Sequence, residues 1–291
     1  MISEDLQQHL PGLEKLRIAS REPSSALRSG RRPGLAKGSG VEFADYRKYE
    51  PGDDTRHIDW HIYARSRKLF VRQYRAEVDL NIHLLLDTSG SMSLGRPGKL
   101  KCAAMMAAAL AYVGLGKLDR VGLATFTDRV QRRLPPERGR GSLFRLLRLL
   151  GEISPGGETD LGQVLRRYGR QAKTRGLVIV LSDFLGAGDY QEGLEYLLYK
   201  RFDVALIQVL AEEDLEPELE GRVELEDAEL ESRILVDEVS TVDYRSRLLA
   251  HNRALADFCR SRGLPCVQAK SSISFEDLTF RFLDAGLWRA R

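Results

Sequence analysis

From residue 79 onward, short apolar runs alternate with longer helical patterns, and this alternation constrains the fold more than any other feature of the chain. Runs at 79–86, 120–126, 176–182, 203–210 and 264–269 are bounded by breakers and have strand length. Helical spacing fits 99–114, 141–151, 160–172, 190–200, 241–262 and 274–285. Parallel neighbours need long crossovers, and strands covered on both faces read as continuous apolar runs rather than alternating ones. The expectation is an α/β fold: a three-layer, doubly wound, mostly parallel sheet of the Rossmann-like type. A partly alternating stretch from Val223 to Val236, broken at Asp227, predicts a β-hairpin insertion near 222–236.

In such a sheet, ligands bind outside the carboxyl ends of the strands, where strand order reverses. The sequence puts polar chemistry at that edge. Asp87-Thr88-Ser89-Gly90-Ser91 follows directly on the run Ile82-His83-Leu84-Leu85-Leu86. A tight turn there brings a carboxylate and two hydroxyls toward one point instead of alternating them across a pleat. Converging hard oxygens suit Mg²⁺, with Mn²⁺ or Ca²⁺ as alternatives. Gly156-Gly157-Glu158-Thr159-Asp160-Leu161-Gly162 offers another hydroxyl at a helix start, and Leu177-Val178-Ile179-Val180-Leu181-Ser182-Asp183 closes an apolar strand on a carboxylate. Each loop alone is better read as a cap or strand-end turn. Three in order at one edge favour a metal site, with Asp87, Ser89, Ser91, Thr159 and Asp183 as the candidate ligands.

These three loops resemble the metal-ion-dependent adhesion site of von Willebrand factor type A domains, whose first loop reads Asp-x-Ser-x-Ser. Glu158, an extra acid beside the Thr, departs from that pattern. The resemblance implies a non-catalytic interaction module in which the ion's open position accepts a partner's Glu or Asp. It also implies coupling of the site to the last helix, around Phe275 to Leu283.

A second resemblance narrows the first. Glu42-Phe43, Arg47-Lys48-Tyr49, Pro51-Gly52-Asp53-Asp54, Arg56, Ile58-Asp59-Trp60, Ala64-Arg65, Leu69 and Val71-Arg72 are similar to the hallmark of the bacterial "domain of unknown function 58" family. In that family such an element precedes an A-type domain. The resemblance implies an adaptor or co-chaperone role alongside a MoxR-type AAA+ ATPase in protein-complex maturation. The domains are then expected as an N-terminal segment and basic loop at 1–40, the family element at 41–78 packed on the main domain, and the A-like domain at 79–291. Arg56 and Arg65 are expected to pair with Asp53, Asp54 or Asp59, with Ile58 and Trp60 buried beneath.

Composition narrows the function classes. The N-terminus has acids where a secretory signal needs a basic start, and the apolar stretch Cys102–Leu115 is short for a membrane span and rich in alanine. No membrane span and a cytoplasmic location are expected. The three cysteines lack Cys-x-x-Cys spacing, so neither a disulfide framework nor a zinc site is expected. The basic run Arg28, Arg31, Arg32 and Lys37, continued by Arg65, Arg67, Lys68, Arg72 and Arg75, keeps a nucleic-acid reading open as a weaker alternative. The stronger rival is a metal-dependent phosphohydrolase using Asp87, Asp160 and Asp183. No Lys in the motif loops, no second acid two residues after Asp87 and no phosphate-binding Gly-x-x-x-x-Gly-Lys motif argue against it.

Overall fold

The computed structural model describes residues 42–75, 80–186, 189–216, 223–226, 233–236 and 238–272. These fall into two units, one within residues 24–79 and one within 80–290.

In the smaller unit, β1 (Glu42–Lys48) pairs antiparallel with β2 (Phe70–Arg75). Between them lie a 3-10 turn at Thr55–His57 and a short helix α1 (Trp60–Ser66). Two aspartates start these turns. Asp54 accepts from the Arg56 N–H, and Asp59 accepts from the N–H groups of His61 and Ile62, which satisfies donors that a helix start leaves open. Ile58 is buried as expected, but Trp60 is 61% exposed. The cap at Asp59 makes Trp60 the first helical residue, and its ring stands edge-on to Tyr63. Arg56 takes Asp54 as expected, whereas Arg47 takes Asp53, and Arg72 rather than Arg65 takes Asp59.

The larger unit holds a six-stranded sheet in the order β10-β7-β6-β3-β4-β5. Its strands are β3 (Asn81–Asp87), β4 (Arg120–Phe126), β5 (Val130–Glu137), β6 (Leu177–Ser182), β7 (Asp203–Leu210) and β10 (Cys266–Lys270). All neighbours are parallel except the β4–β5 edge pair. Six helices accompany it among the described residues: α2 (Lys99–Gly116), α3 (Arg140–Gly151), α4 (Leu161–Gln171), α5 (Tyr190–Tyr199), the single turn α6 (Glu212–Leu215) and α7 (Glu238–Arg262). β8 (Val223–Glu226) and β9 (Arg233–Val236) form the expected antiparallel hairpin. The helix expected at 274–285 lies outside the described residues.

Side-chain alternation along the strands builds two cores. On one face, Ile82, Leu84 and Leu86 of β3 join Ile179 and Leu181 of β6 against the alanines of α2 and Leu146 and Leu150 of α3. On the other, Leu85, Val178 and Val180 join Leu165 of α4, Leu194 of α5 and Leu255 of α7. Alanine suits α2: it has the highest helix propensity and lets the helix lie close to the sheet. Although α2 is long and apolar enough to cross a membrane, 72% of that stretch is buried within the protein. On the opposite face, Gly162 and Gly193 let α4 and α5 approach closely; a Cβ on Gly162 would stand 2.3 Å from the Asp189 carbonyl oxygen.

Candidate functional site

Strand order reverses between β3 and β6. The chain passes from β3 to β4 on one side and later returns to place β6 on the other. Their carboxyl ends carry Asp87 and Asp183, so both carboxylates sit at the crevice where open α/β sheets bind ligands.

Backbone hydrogen bonds draw the loops together. Gly90 N–H donates to the Gly157 carbonyl at 2.8 Å, and Gly156 N–H donates to the Thr88 carbonyl at 2.9 Å. Gly157 has φ +82°, a left-handed conformation that glycine adopts without steric cost. Ser89 and Ser91 flank the turn, with their hydroxyl oxygens 3.1 Å apart. Thr159, half-buried just before α4, lines a small hollow with Ser182, Phe184 and Gly186. Asp87 and Ser89 are deep, whereas Ser91 and Thr159 stand nearer the mouth. Glu158 is exposed.

Both carboxylates are held in place. Asp87 Oδ1 accepts from Ser89 N–H at 2.9 Å and Oδ2 from the Ser182 hydroxyl at 2.6 Å. Burial, and then the nearby Asp183 carboxylate, push Asp87 up to about 6. Asp183 Oδ1 accepts from Leu185 N–H at 3.1 Å, and its backbone carbonyl accepts from Gln208. The next residue, Phe184, has φ 57°, uncommon for a bulky side chain and costing on the order of 1 kcal/mol. Phe184 N–H donates to the Ser182 hydroxyl, and the Phe184 carbonyl lies 2.8 Å from His251 Nε2 of α7.

One member of the site is not anticipated by the sequence. Lys99, the first residue of α2, is fully buried, and its ammonium donates to Asp183 Oδ2 at 2.8 Å and lies 3.0 Å from Asp214 Oδ2. Burial alone would lower the ammonium's pKa, but Asp183 and Asp214 together raise it. Asp214 is itself fixed at the start of α6 by accepting from Ala211 N–H at 2.8 Å. The motif loops themselves contain no lysine, as read from the sequence, yet the fold brings one to them from the start of a helix. A Lys ahead of an alanine run gives no sign of burial, and only the two distant acids explain it.

The donor set fits a hard cation. Among the described residues no three His, Cys, Asp or Glu side chains converge as a metal-ligand group. The candidate donors at this edge are the carboxylates of Asp87 and Asp183 and the hydroxyls of Ser89, Ser91 and Thr159, the chemistry that Mg²⁺ and Mn²⁺ accept. Charge points the same way. Among the described residues at this edge, Asp183 and Asp214 share one buried ammonium while Asp87 is a third buried carboxylate, an excess of two negative charges when all are ionised.

The fold and the edge together define a mixed α/β protein with buried acids and hydroxyls at the switch point of a mostly parallel sheet. The family model described as "Protein of unknown function DUF58" matches residues 45–255, and the chain belongs to that family. It is 29% identical over 266 residues to the uncharacterized protein Rv1480 of Mycobacterium tuberculosis (strain ATCC 25618 / H37Rv), covering 89% of this chain and 84% of the relative. Over 144 residues it is 29% identical to the uncharacterized protein MAV169 of Mycobacterium avium, covering 48% of this chain and 85% of that one. Among solved structures it is similar to a conserved hypothetical protein, BatB, from Bacteroides thetaiotaomicron, with TM-score 0.44 and 16% identity over 72% of this chain and 100% of that one. A von Willebrand factor type A protein from Catenulispora acidiphila matches at TM-score 0.35 and 16% identity, over 48% of this chain and 35% of that one.

Proposed function

We propose that this chain is a non-catalytic interaction module with the three-layer von Willebrand A arrangement, whose adhesion-type site docks an acidic side chain of a protein partner through a divalent cation. The observation that carries this reading is the meeting of the Asp87, Gly156–Thr159 and Asp183 loops at the β3–β6 switch, where, among the described residues, three buried carboxylates lie with one buried ammonium. Asp87, Ser89, Ser91 and Thr159 would hold the ion, with Asp183 behind them. When bound, such an ion supplies Lewis acidity and an open position for a carboxylate. The protein's own residues do the rest: the Ser89 hydroxyl lies deep and the Ser91 hydroxyl nearer the mouth, the buried Asp87 supplies charge, and Ser182 orients it. The partner favoured by the family resemblance is a MoxR-type AAA+ ATPase, in a cytoplasmic adaptor or co-chaperone role.

A phosphohydrolase reading gains a lysine from the structure but loses more. Asp160 is engaged as the N-cap of α4, accepting from Gln163 N–H at 2.9 Å, and Ser89 stands where a second acid is needed. Lys99 is already shared between two carboxylates. The test is affinity for a purified MoxR-type ATPase, measured in Mg²⁺ and again in chelator. Binding that weakens strongly in chelator supports the metal bridge, and equal affinity in the two conditions refutes it.

A further inference from the structure

Lys99 is the least expected group in the molecule. Lysine is almost never fully buried unless paired, and here it is paired twice. Its two partners come from separate strand ends along the same edge of the sheet: Asp183 directly follows β6, and Asp214 lies in the turn after β7. Each is separately fixed, Asp183 by Leu185 N–H and Asp214 by Ala211 N–H. The triad is therefore rigidly built. A surface ion pair that happened to become covered would not have two anchored partners.

We propose that Lys99 is a resident cation that withholds Asp183 from direct metal ligation and thereby sets the affinity and residual charge of the site. This rests on the metal-binding reading above. Asp183 Oδ2 is given to a charged ammonium, whereas Asp87 accepts only from the neutral Ser89 N–H and Ser182 hydroxyl, so Asp87 is the carboxylate left to ligate directly. A divalent ion bound beside a single direct carboxylate keeps more of its positive charge for an incoming acid than one held by two. Asp214 has the opposite effect: it takes up part of the ammonium's charge and so leaves the crevice more negative than Lys99 and Asp183 alone would make it. The sign of each residue's contribution follows from charge. Removing Lys99 tightens metal binding, and removing the Asp214 charge weakens it.

The test is a Mn²⁺ titration by calorimetry on the wild type, Lys99→Met, Asp214→Asn and the double variant Lys99→Met/Asp214→Asn, with circular dichroism confirming each fold. The expected result is binding about tenfold tighter in Lys99→Met and about tenfold weaker in Asp214→Asn, with the double variant returning close to the wild type. A merely structural triad would weaken binding in every variant, since each disturbs the same loops, and that pattern overturns the proposal. Lys99→Met that is folded yet unchanged in affinity overturns it as well. Should Lys99→Met fail to fold, the other two variants decide: Asp214→Asn no weaker than the wild type, or a double variant no tighter than Asp214→Asn, is a refutation. Failure of the wild type to bind while Lys99→Met binds would support the inference and remove the metal bridge, because the lysine would then serve as the site's cation. Binding in no variant would overturn both.

Discussion

The two units of the chain use the same kind of ion pair in opposite settings. In the β1–β2 unit, Arg56 and Asp54 meet at 2.7 Å with side chains 85% and 41% exposed. In the large unit, Lys99 and Asp183 meet at 2.8 Å with 0% and 1% exposed. Distance is nearly the same, and consequence is not. Water screens the exposed pair and re-solvates either partner if the other is lost, so such pairs add little. The buried pair has no such recourse: loss of one member strands a charge in the interior. Specific turn geometry shapes the first region, through Asp54 and Asp59 capping, whereas charge balance shapes the second.

Breaking the buried side should have the largest effect. Lys99→Ala is expected to destabilise the protein by about 3–5 kcal/mol in urea denaturation, because two acids lose their cation together with the packing of the lysine stem. Added Mn²⁺ should restore part of that loss. Leu84→Ala, in the core against α2, removes apolar contacts without touching charge and is expected to cost about 2–5 kcal/mol by the same measurement, with no recovery in metal.

The pH dependence sharpens the contrast between buried and exposed groups further. His83 lies in β3 with its Nδ1 2.8 Å from the Tyr168 hydroxyl. Burial, and then the Arg133 charge, push it down to about 4. Below an unfolded-state value near 6.5 the unfolded chain takes up a proton that the folded chain refuses, so stability is complete above that pH and declines as pH falls toward about 4. The full loss is roughly 3 kcal/mol, and His83→Gln should flatten that part of a stability–pH profile. At the small end, Arg56→Ala should leave the urea midpoint within error, because both partners of that pair are exposed.

How much of this is legible in the sequence depends on what each element needs to announce itself. β4 at Arg120–Phe126 and β7 at Asp203–Leu210 match their expected bounds, since both are mostly apolar runs between breakers. β5 gives no such signal. Val130–Glu137 carries Gln131, Arg132, Arg133 and two prolines, which a strand tolerates only at an edge, and its pairing partner is not deducible from local pattern. β1 is hidden the same way, with Asp45, Arg47 and Lys48 breaking its apolar signal. At the candidate site, the loops that carry hydroxyls and acids are readable because their residues are adjacent in sequence. Lys99 is not, because its meaning lies in Asp183 and Asp214, which are 84 and 115 positions away. Hydrophobicity alone puts Trp60 inside, and the cap at Asp59 places it outside.

The central claim, that the β3–β6 edge is a divalent-cation site, is tested most directly by calorimetric titration of Mn²⁺ and Mg²⁺ into the wild type and Asp87→Ala. The account predicts saturable binding to the wild type that is abolished in Asp87→Ala, whose fold is confirmed by circular dichroism. Binding of equal strength in both proteins, or no binding to either, would contradict it.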